Sequence, residues 1–157
     1  MEINETDYKA IRHLMEQGRI TWSELAGILE LSAPATADRV RRLEERQVIT
    51  GYAALVDPEA IGCMLTAFVS IRLDKPKHQG PFLKKIEALS EVQECHHVTG
   101  EDDYLLKVRC GTAKDLERLV SEEIKGVAGV SRTRTTIALS TVKETPILPV
   151  KPSRTEA

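Results

Sequence analysis

The chain has 157 residues, 41% of them apolar, 29% charged and 4% aromatic, with a formal net charge of −2. This is the composition of an ordinary globular protein with enough chain for a real core, in one large domain or two small ones. No stretch approaches the roughly 18 apolar residues of a membrane span, the start Met1-Glu2-Ile3-Asn4-Glu5 is acidic where a secretory signal is basic, and Cys63, Cys95 and Cys110 are odd in number with no CxxC. The expectation is a cytoplasmic chain without membrane anchor, disulfide framework or zinc ribbon. Up to residue 50 there are 7 basic and 9 acidic residues, and beyond it 15 of each. Neither part is a basic domain, so any nucleic-acid contact must come from charge gathered on one face.

Asn4 and Asp7 mark a helix start, with Ile3 able to staple onto Tyr8, and the spacing of Tyr8, Ile11, Leu14 and Met15 predicts a helix over 5–17 that stops at Gly18. Thr21-Trp22-Ser23-Glu24 is a capping box for a short second helix through Leu25, Ala26, Ile28 and Leu29. Trp22 is expected to pack beside that box. Ser32 caps a third helix that tolerates Pro34 in its first turn and buries Thr36, Val40 and Leu43. Its outward positions include Ala35, Asp38, Arg39, Arg42 and Arg46, with Arg41 at the flank, and Arg39, Arg42 and Arg46 form a stripe. Val48 to Val56 reads as extended strand segments turning near Gly51 and stopped by Asp57-Pro58. Three short helices followed by a strand are the layout of a winged-type helix-turn-helix, whose last helix enters the major groove. The plainer alternative is a solvated arginine face on a helical bundle.

From Cys63 to Leu73 apolar residues alternate at strand spacing, and Phe82, Leu83, Ile86 and Leu89 mark the inner side of a helix. Val92 to Val98 and Tyr104 to Cys110 are two strands joined closely enough to pair as a hairpin. Thr112 with Asp115 opens a helix carrying Leu116, Leu119, Val120 and Ile124 and ending at Gly126, and Val130 to Leu139 is a fourth strand. The order βαββαβ predicts a ferredoxin-like α+β domain with both helices on one sheet face. The other face, expected to be apolar, asks for a cover, which a second copy supplies. The domains are then 1–50 (helix-turn-helix), 51–62 (hinge strand and linker), 63–140 (ferredoxin-like) and 141–157 (an arm that begins extended and ends disordered).

Three segments carry a resemblance: LSAPATADRVRRLEERQVITGY over 31–52, VTGEDDYLLKV over 98–108 and RTTIALSTVK over 134–143. In this order, from about Asn4 to Pro149, they resemble the Lrp/AsnC family of prokaryotic transcription regulators. The resemblance implies a DNA-binding helix-turn-helix, a hinge strand, and an effector-binding domain through which dimers assemble into larger discs, octamers included, in the nucleoid-associated cytoplasm. Gln47 stands where the family usually has glycine, and Ala33-Pro34-Ala35 replaces more polar residues. The candidate contacts to the major groove of double-stranded DNA are Ser32, Pro34, Ala35, Thr36, Asp38, Arg39, Arg41 and Arg42, with Arg39 and Arg42 foremost.

On its own chemistry, Glu101-Asp102-Asp103 beside Gly100 is a metal site, a pair of catalytic carboxylates or a polar turn. The resemblance weights it toward a small-molecule effector, an amino acid, near TGEDDY and between subunits. A carboxylate such as Asp103 suits an ammonium, and Gly100 lets a ligand approach backbone N–H groups. Thr99, Gly100, Asp102, Asp103, Tyr104, Thr133 and Thr135 are the candidate contacts. His96 and His97 are neighbours on a strand and point to opposite faces, so they cannot share a metal ion, and Cys95 with His97 is one ligand pair and no more. His13 and His78 are expected at the surface. No GxSxG, P-loop or GxGxxG occurs, and nothing calls for a cofactor, a metal or a catalytic residue. Two rivals stay open: a ligand-independent protein that wraps DNA, and an enzyme like certain tetrapyrrole decarboxylases, which resemble this two-domain layout.

Overall fold

Side-chain caps decide where most of the helices begin. In the computed structural model, which describes residues 3–150, Asn4 Oδ1 accepts the Asp7 N–H and Asp7 Oδ2 accepts the Asn4 N–H, each at 3.0 Å. This reciprocal box satisfies two of the donors a helix start leaves open and launches α1 (Glu5–Glu16). Thr21 and Glu24 repeat the device for α2 (Trp22–Leu29). Ser32 Oγ caps α3 (Ala33–Glu45), whose first turn carries Pro34 where no N–H is needed. Between α2 and α3 Glu30 takes a left-handed φ of 57°, and the Leu31 N–H returns to the Ala26 carbonyl at 3.0 Å. That closes a tight turn and lets Ala10, Leu14, Leu25, Leu29 and Val40 share one core, with Ile20, Leu31 and Ile49 packed on it.

After α3 the chain turns through Gln47 at φ 56°, and the N–H groups of Val48 and Ile49 both return to the Leu43 carbonyl. That left-handed conformation is one glycine adopts at no steric cost. The strand expected over Val48 to Val56 has no ladder partner among the described residues. Tyr52, Leu55 and Val56 are exposed, and the Tyr52 hydroxyl donates to Glu44 Oε1 at 2.8 Å. The chain divides into two compact units: one runs through Leu55 and takes back the chain from Lys143, and the other is Val56–Val142.

In the second unit β1 (Leu65–Leu73), α4 (Gln79–Glu87), β2 (Val92–His97), β3 (Tyr104–Cys110), α5 (Ala113–Arg118) and β4 (Val130–Ile137) follow in the expected order. The sheet order is β2-β3-β1-β4, antiparallel throughout. α5 opens with the reciprocal Thr112–Asp115 box and continues as a wider turn over Leu119–Ile124, where the Lys125 N–H reaches back to the Val120 carbonyl. The widening keeps Leu116, Leu119, Val120 and Ile124 all on the core beside Ala67, Val69, Ile71, Leu106, Val108, Phe82 and Ile86. Residues 151–157, where the disordered end was expected, lie outside the described residues.

The uncovered sheet face differs from expectation. The register that turns Val69 and Ile71 to the helices turns Thr66, Phe68, Ser70 and Arg72 the other way, beside Arg132, Arg134, Thr136, Lys107 and Arg109. It is a largely polar, basic face with Phe68 and Leu105 among its charged and hydroxyl side chains, because strand alternation places Ala67, Val69, Ile71, Leu106 and Val108 on the helix side. The β2–β3 turn is fastened to this face. Asp102, with its side chain 10% exposed, accepts from Arg132 Nη2 at 2.9 Å and Arg134 Nη2 at 3.2 Å. The hydrogen bond from Arg132, helped by the charges of Arg134 and Arg72, holds the Asp102 carboxyl below its ordinary range.

Two stability measurements test these features. A left-handed residue other than glycine costs about 1 to 2 kcal/mol, and glycine gives back about 0.5 to 1 kcal/mol as unfolded-state entropy. Gln47→Gly is therefore expected to raise the urea midpoint by about 0.5 kcal/mol of stability. A lowered midpoint would assign the position to the Gln47 side chain, which donates to the Glu44 carbonyl at 3.2 Å. Because the folded pKa of Asp102 is depressed, its contribution is present above the unfolded carboxylate value near 3.8 and lost as pH falls through the folded value. Asp102→Asn should lower the melting temperature at pH 7, and the gap to the parent should narrow as pH falls below 3.8. A gap of constant size across this range would attribute the effect to shape instead of charge.

Candidate DNA interface and ligand cleft

On α3, Ser32, Pro34 and Ala35 are exposed, and the Arg41 and Arg42 side chains are 65% and 50% exposed. Asp38 lies between the two arginines, bonding Arg41 one turn on and Arg42 at 3.4 Å, and Arg41 also reaches Glu45 at 3.8 Å. Pairs of this kind on a helix surface are worth only about 0.3 to 0.5 kcal/mol and exchange readily for other partners. Trp22 is exposed on the first turn of α2.

Two expected DNA contacts are placed elsewhere. Thr36 is fully buried and its Oγ1 has no hydrogen-bond partner, so it belongs to the core and cannot meet a base. Arg39 is turned from solvent, with its side chain 21% exposed and Nη1 2.5 Å from Asp7 Oδ1. The same Nη1 donates to Asn4 Oδ1 at 3.2 Å. A helical wheel of α3 alone puts Arg39 among the outward positions; it is the acidic first turn of α1 that draws it inward. The arginine stripe thus borders a cleft of about 240 Å³ lined by Asn4, Asp7, Arg39, Arg42, Leu43 and Arg46.

In the second unit, Asp103 and Tyr104 line a cleft of about 200 Å³ together with Leu73, Asp74, Lys75, Pro76, Gln79 and His97. Asp103 is held three ways: its N–H donates to the Ile71 carbonyl at 2.8 Å, its carbonyl accepts from the Val98 N–H at 2.9 Å, and Oδ2 accepts from the Leu73 N–H at 2.7 Å. The buried Tyr104 ring stacks on His97 with centroids 5.0 Å apart, and its hydroxyl accepts from Gln79 Nε2 at 2.6 Å. The cleft therefore offers a carboxylate, an ammonium from Lys75, and walls made of Leu73, Pro76 and stacked rings.

Thr99, Gly100, Asp102, Thr133 and Thr135 are not on its wall. Asp102 is committed to Arg132 and Arg134, while Thr133 and Thr135 sit on β4 opposite Ile71 and Val69. The sequence reading missed Leu73, Lys75, Gln79 and His97. The pairing of Ile71 with Tyr104 is the signal that would have found them, because it sets the chain after Leu73 beside Asp103.

His96 lies 3.0 Å from Glu94 while His97 stacks on Tyr104, each on its own side of β2. His78 is not the surface residue expected: its Nδ1 is 2.6 Å from Asp74 Oδ1, and the ring packs so closely on Gly129 that a Cβ there would come within 2.2 Å of the ring carbon. Among the described residues no group of three or more His, Cys, Asp or Glu is placed to hold a metal, and no helix is long and apolar enough to cross a membrane.

Comparison with known proteins agrees with the two-domain layout. Residues 3–50 match the family model of the winged helix-turn-helix DNA-binding domain, and residues 66–148 match that of the Lrp/AsnC ligand binding domain. The chain is 42% identical over 139 residues to the HTH-type transcriptional regulator LrpA of Mycobacterium tuberculosis, covering 88% of this chain and 91% of that protein. It is 36% identical over 151 residues to the leucine-responsive regulatory protein of Haemophilus influenzae, covering 95% and 91%. A transcriptional regulator from Neisseria meningitidis, solved in complex with L-methionine, superimposes with a TM-score of 0.90 at 29% identity, covering 94% of this chain and 97% of that one. The chain belongs to the Lrp/AsnC family and is a transcriptional regulator that joins a DNA-binding helix-turn-helix to a ligand-binding ferredoxin-like domain.

Proposed function

We propose that this regulator meets the major groove of double-stranded DNA with the outward side of α3 and is switched, without catalytic turnover, by a free amino acid with an apolar side chain held in the Asp103–Tyr104 cleft. The observation that carries the effector reading is the chemistry of that cleft. Asp103 matches an α-ammonium, Lys75 an α-carboxylate, and Leu73, Pro76 and the His97–Tyr104 stack an apolar side chain. A leucine-responsive relative and a methionine-bound one support the ligand class. On α3 the exposed Ser32, Pro34, Ala35, Arg41 and Arg42, with the half-buried Asp38 between the arginines, form the contact surface.

The protein works in the cytoplasm as a homo-oligomer, dimers assembling toward octamers. Support comes from the exposed apolar segments that no ladder among the described residues covers: Leu55 and Val56 before the sheet in sequence, Leu139, Val142 and Leu148 after it. Ligand occupancy changes which assembly is favoured, and assembly sets the spacing of recognition helices, about 34 Å or a multiple of it. Coupling of this kind is about 1 to 3 kcal/mol and reciprocal.

Footprinting on the DNA flanking its own gene, with and without each of the twenty amino acids, tests the whole reading. Arg42→Ala is expected to flatten the dependence of log affinity on log salt by about 0.9 for one lost phosphate, or to cost about 1 to 3 kcal/mol at one base position if the guanidinium reads guanine. An unchanged slope and base profile would remove Arg42 from the interface. Asp103→Asn preserves the bond to the Leu73 N–H and removes the charge, so ligand-free DNA binding should persist while the amino-acid response disappears. A normal response in that variant would move the pocket elsewhere, and no response in the parent to any of the twenty would favour a ligand-independent DNA-wrapping role.

A further inference from the structure

We infer that Arg39 is a positioning residue: its ion pair with Asp7 fixes the presentation of α3 to DNA and withdraws the Arg39 charge from the DNA-facing set. The inference rests on α3 being the reading helix, as proposed above. Asp7 is 2% exposed and belongs to the capping box of α1, 32 residues before Arg39 in the chain. Asn4 Oδ1 accepts both from the Asp7 N–H and from Arg39 Nη1, so one oxygen serves the start of α1 and the middle of α3 together. Arg39 Nε is buried without a partner. A guanidinium that reads guanine or clamps a phosphate presents two N–H groups side by side. Here Nη1 is spent on Asp7 and Asn4 and Nε is sealed off, which leaves Nη2 alone.

The charge argument runs the same way. A cation neutralised by a buried carboxylate displaces no counterions from DNA. Arg42 borders the same cleft, but its partner Asp38 is on the exposed face at 3.4 Å and can give it up. The buried Asp7 cannot release Arg39 without being left as an uncompensated charge. A polar clamp of this type sets registry between two elements, and the register of α3 decides which base each outward side chain meets.

The test uses the full chain, a duplex enriched by the parent protein from a random pool, and a scrambled duplex of equal length, with affinities measured across a salt series. Asp7→Asn keeps the cap and releases the arginine charge. Its salt slope should steepen by about 0.9, and its preference for the enriched duplex should fall about tenfold, the worth of one misread base pair. Asp7→Asn with Arg39→Gln removes the pair at constant net charge, so the slope should stay at the parent value while the preference falls to a similar degree. Arg39→Lys, which retains charge and one bond to Asp7, should recover most of the preference. Thermal melting of each variant separates loss of folding from loss of reading, since a destabilised but folded helix-turn-helix leaves the salt slope alone.

A double variant whose slope flattens by about 0.9 would make Arg39 a phosphate contact and overturn the inference. So would an unchanged preference in that variant, or an Arg39→Lys protein no better than the double variant. If Arg42→Ala changes neither slope nor base profile while the double variant still loses its preference, the clamp stands and the assignment of Arg42 is what fails.

Discussion

Everything in the second unit follows from the position of β1, which pairs with β3 on one side and β4 on the other. Ala67, Val69 and Ile71 are completely buried, and a one-residue slip would put Phe68, Ser70 and Arg72 under the helices in their place. That penalty fixes the register on both sides. With the register fixed, Ile71 stands opposite Tyr104, and the chain leaving Leu73 must run past Asp103. The bonds from Asp103 to the Ile71 carbonyl and the Leu73 N–H then close the sheet end. The cleft proposed to hold the effector is therefore a product of strand pairing, built on a rigid edge and not on the turn at Gly100.

The helical unit is organised differently because it has little apolar surface to bury. Its core of Ala10, Leu14, Leu25, Leu29 and Val40 is small, and units of this size are marginal when packing acts alone. Side-chain caps contribute about 1 kcal/mol each, and Asn4, Thr21 and Ser32 each supply one. The pair between Asp7 and Arg39 is a different kind of contact. Taking both charges out of water offsets most of their attraction, so its role lies in orientation, while the caps carry stability.

The sequence made the element order legible wherever a local signal carries it. Reciprocal boxes at Asn4, Thr21 and Thr112 and the period-two alternation in Tyr104, Leu106, Val108 and Cys110 correspond to helices and a strand at the expected places. What the sequence hid is decided between elements. Arg39 looks outward on the wheel of α3, and nothing within that helix says that a carboxylate on α1 will claim it. Asp102 looks like a ligand group because it adjoins Gly100 and Asp103, yet two arginines on β4 hold it. Lys75, Gln79 and His97 carry no motif and reach the cleft only through strand register. The character of the uncovered sheet face is hidden for a related reason: pairing between strands decides which residues share a face, and it gathers Arg132, Arg134, Lys107 and Arg109 on this one.

Charge pairing also constrains how such a protein gains affinity for DNA. The chain holds 24 acidic against 22 basic residues, and on the reading helix Asp7 takes Arg39 while Asp38 takes Arg41 and Arg42. Arg39 is then withdrawn and the net charge of −2 leaves no surplus of cations, so the sequence-independent part of binding is weak for a single copy. Joining copies changes this without any new contact, because the second recognition helix binds at the effective concentration set by the first. A ligand that shifts assembly consequently acts on a term larger than any side chain on α3 supplies. Under the proposed reading it would do so from a cleft in a different compact unit, and would need no path through the protein beyond the number and spacing of the copies it holds together.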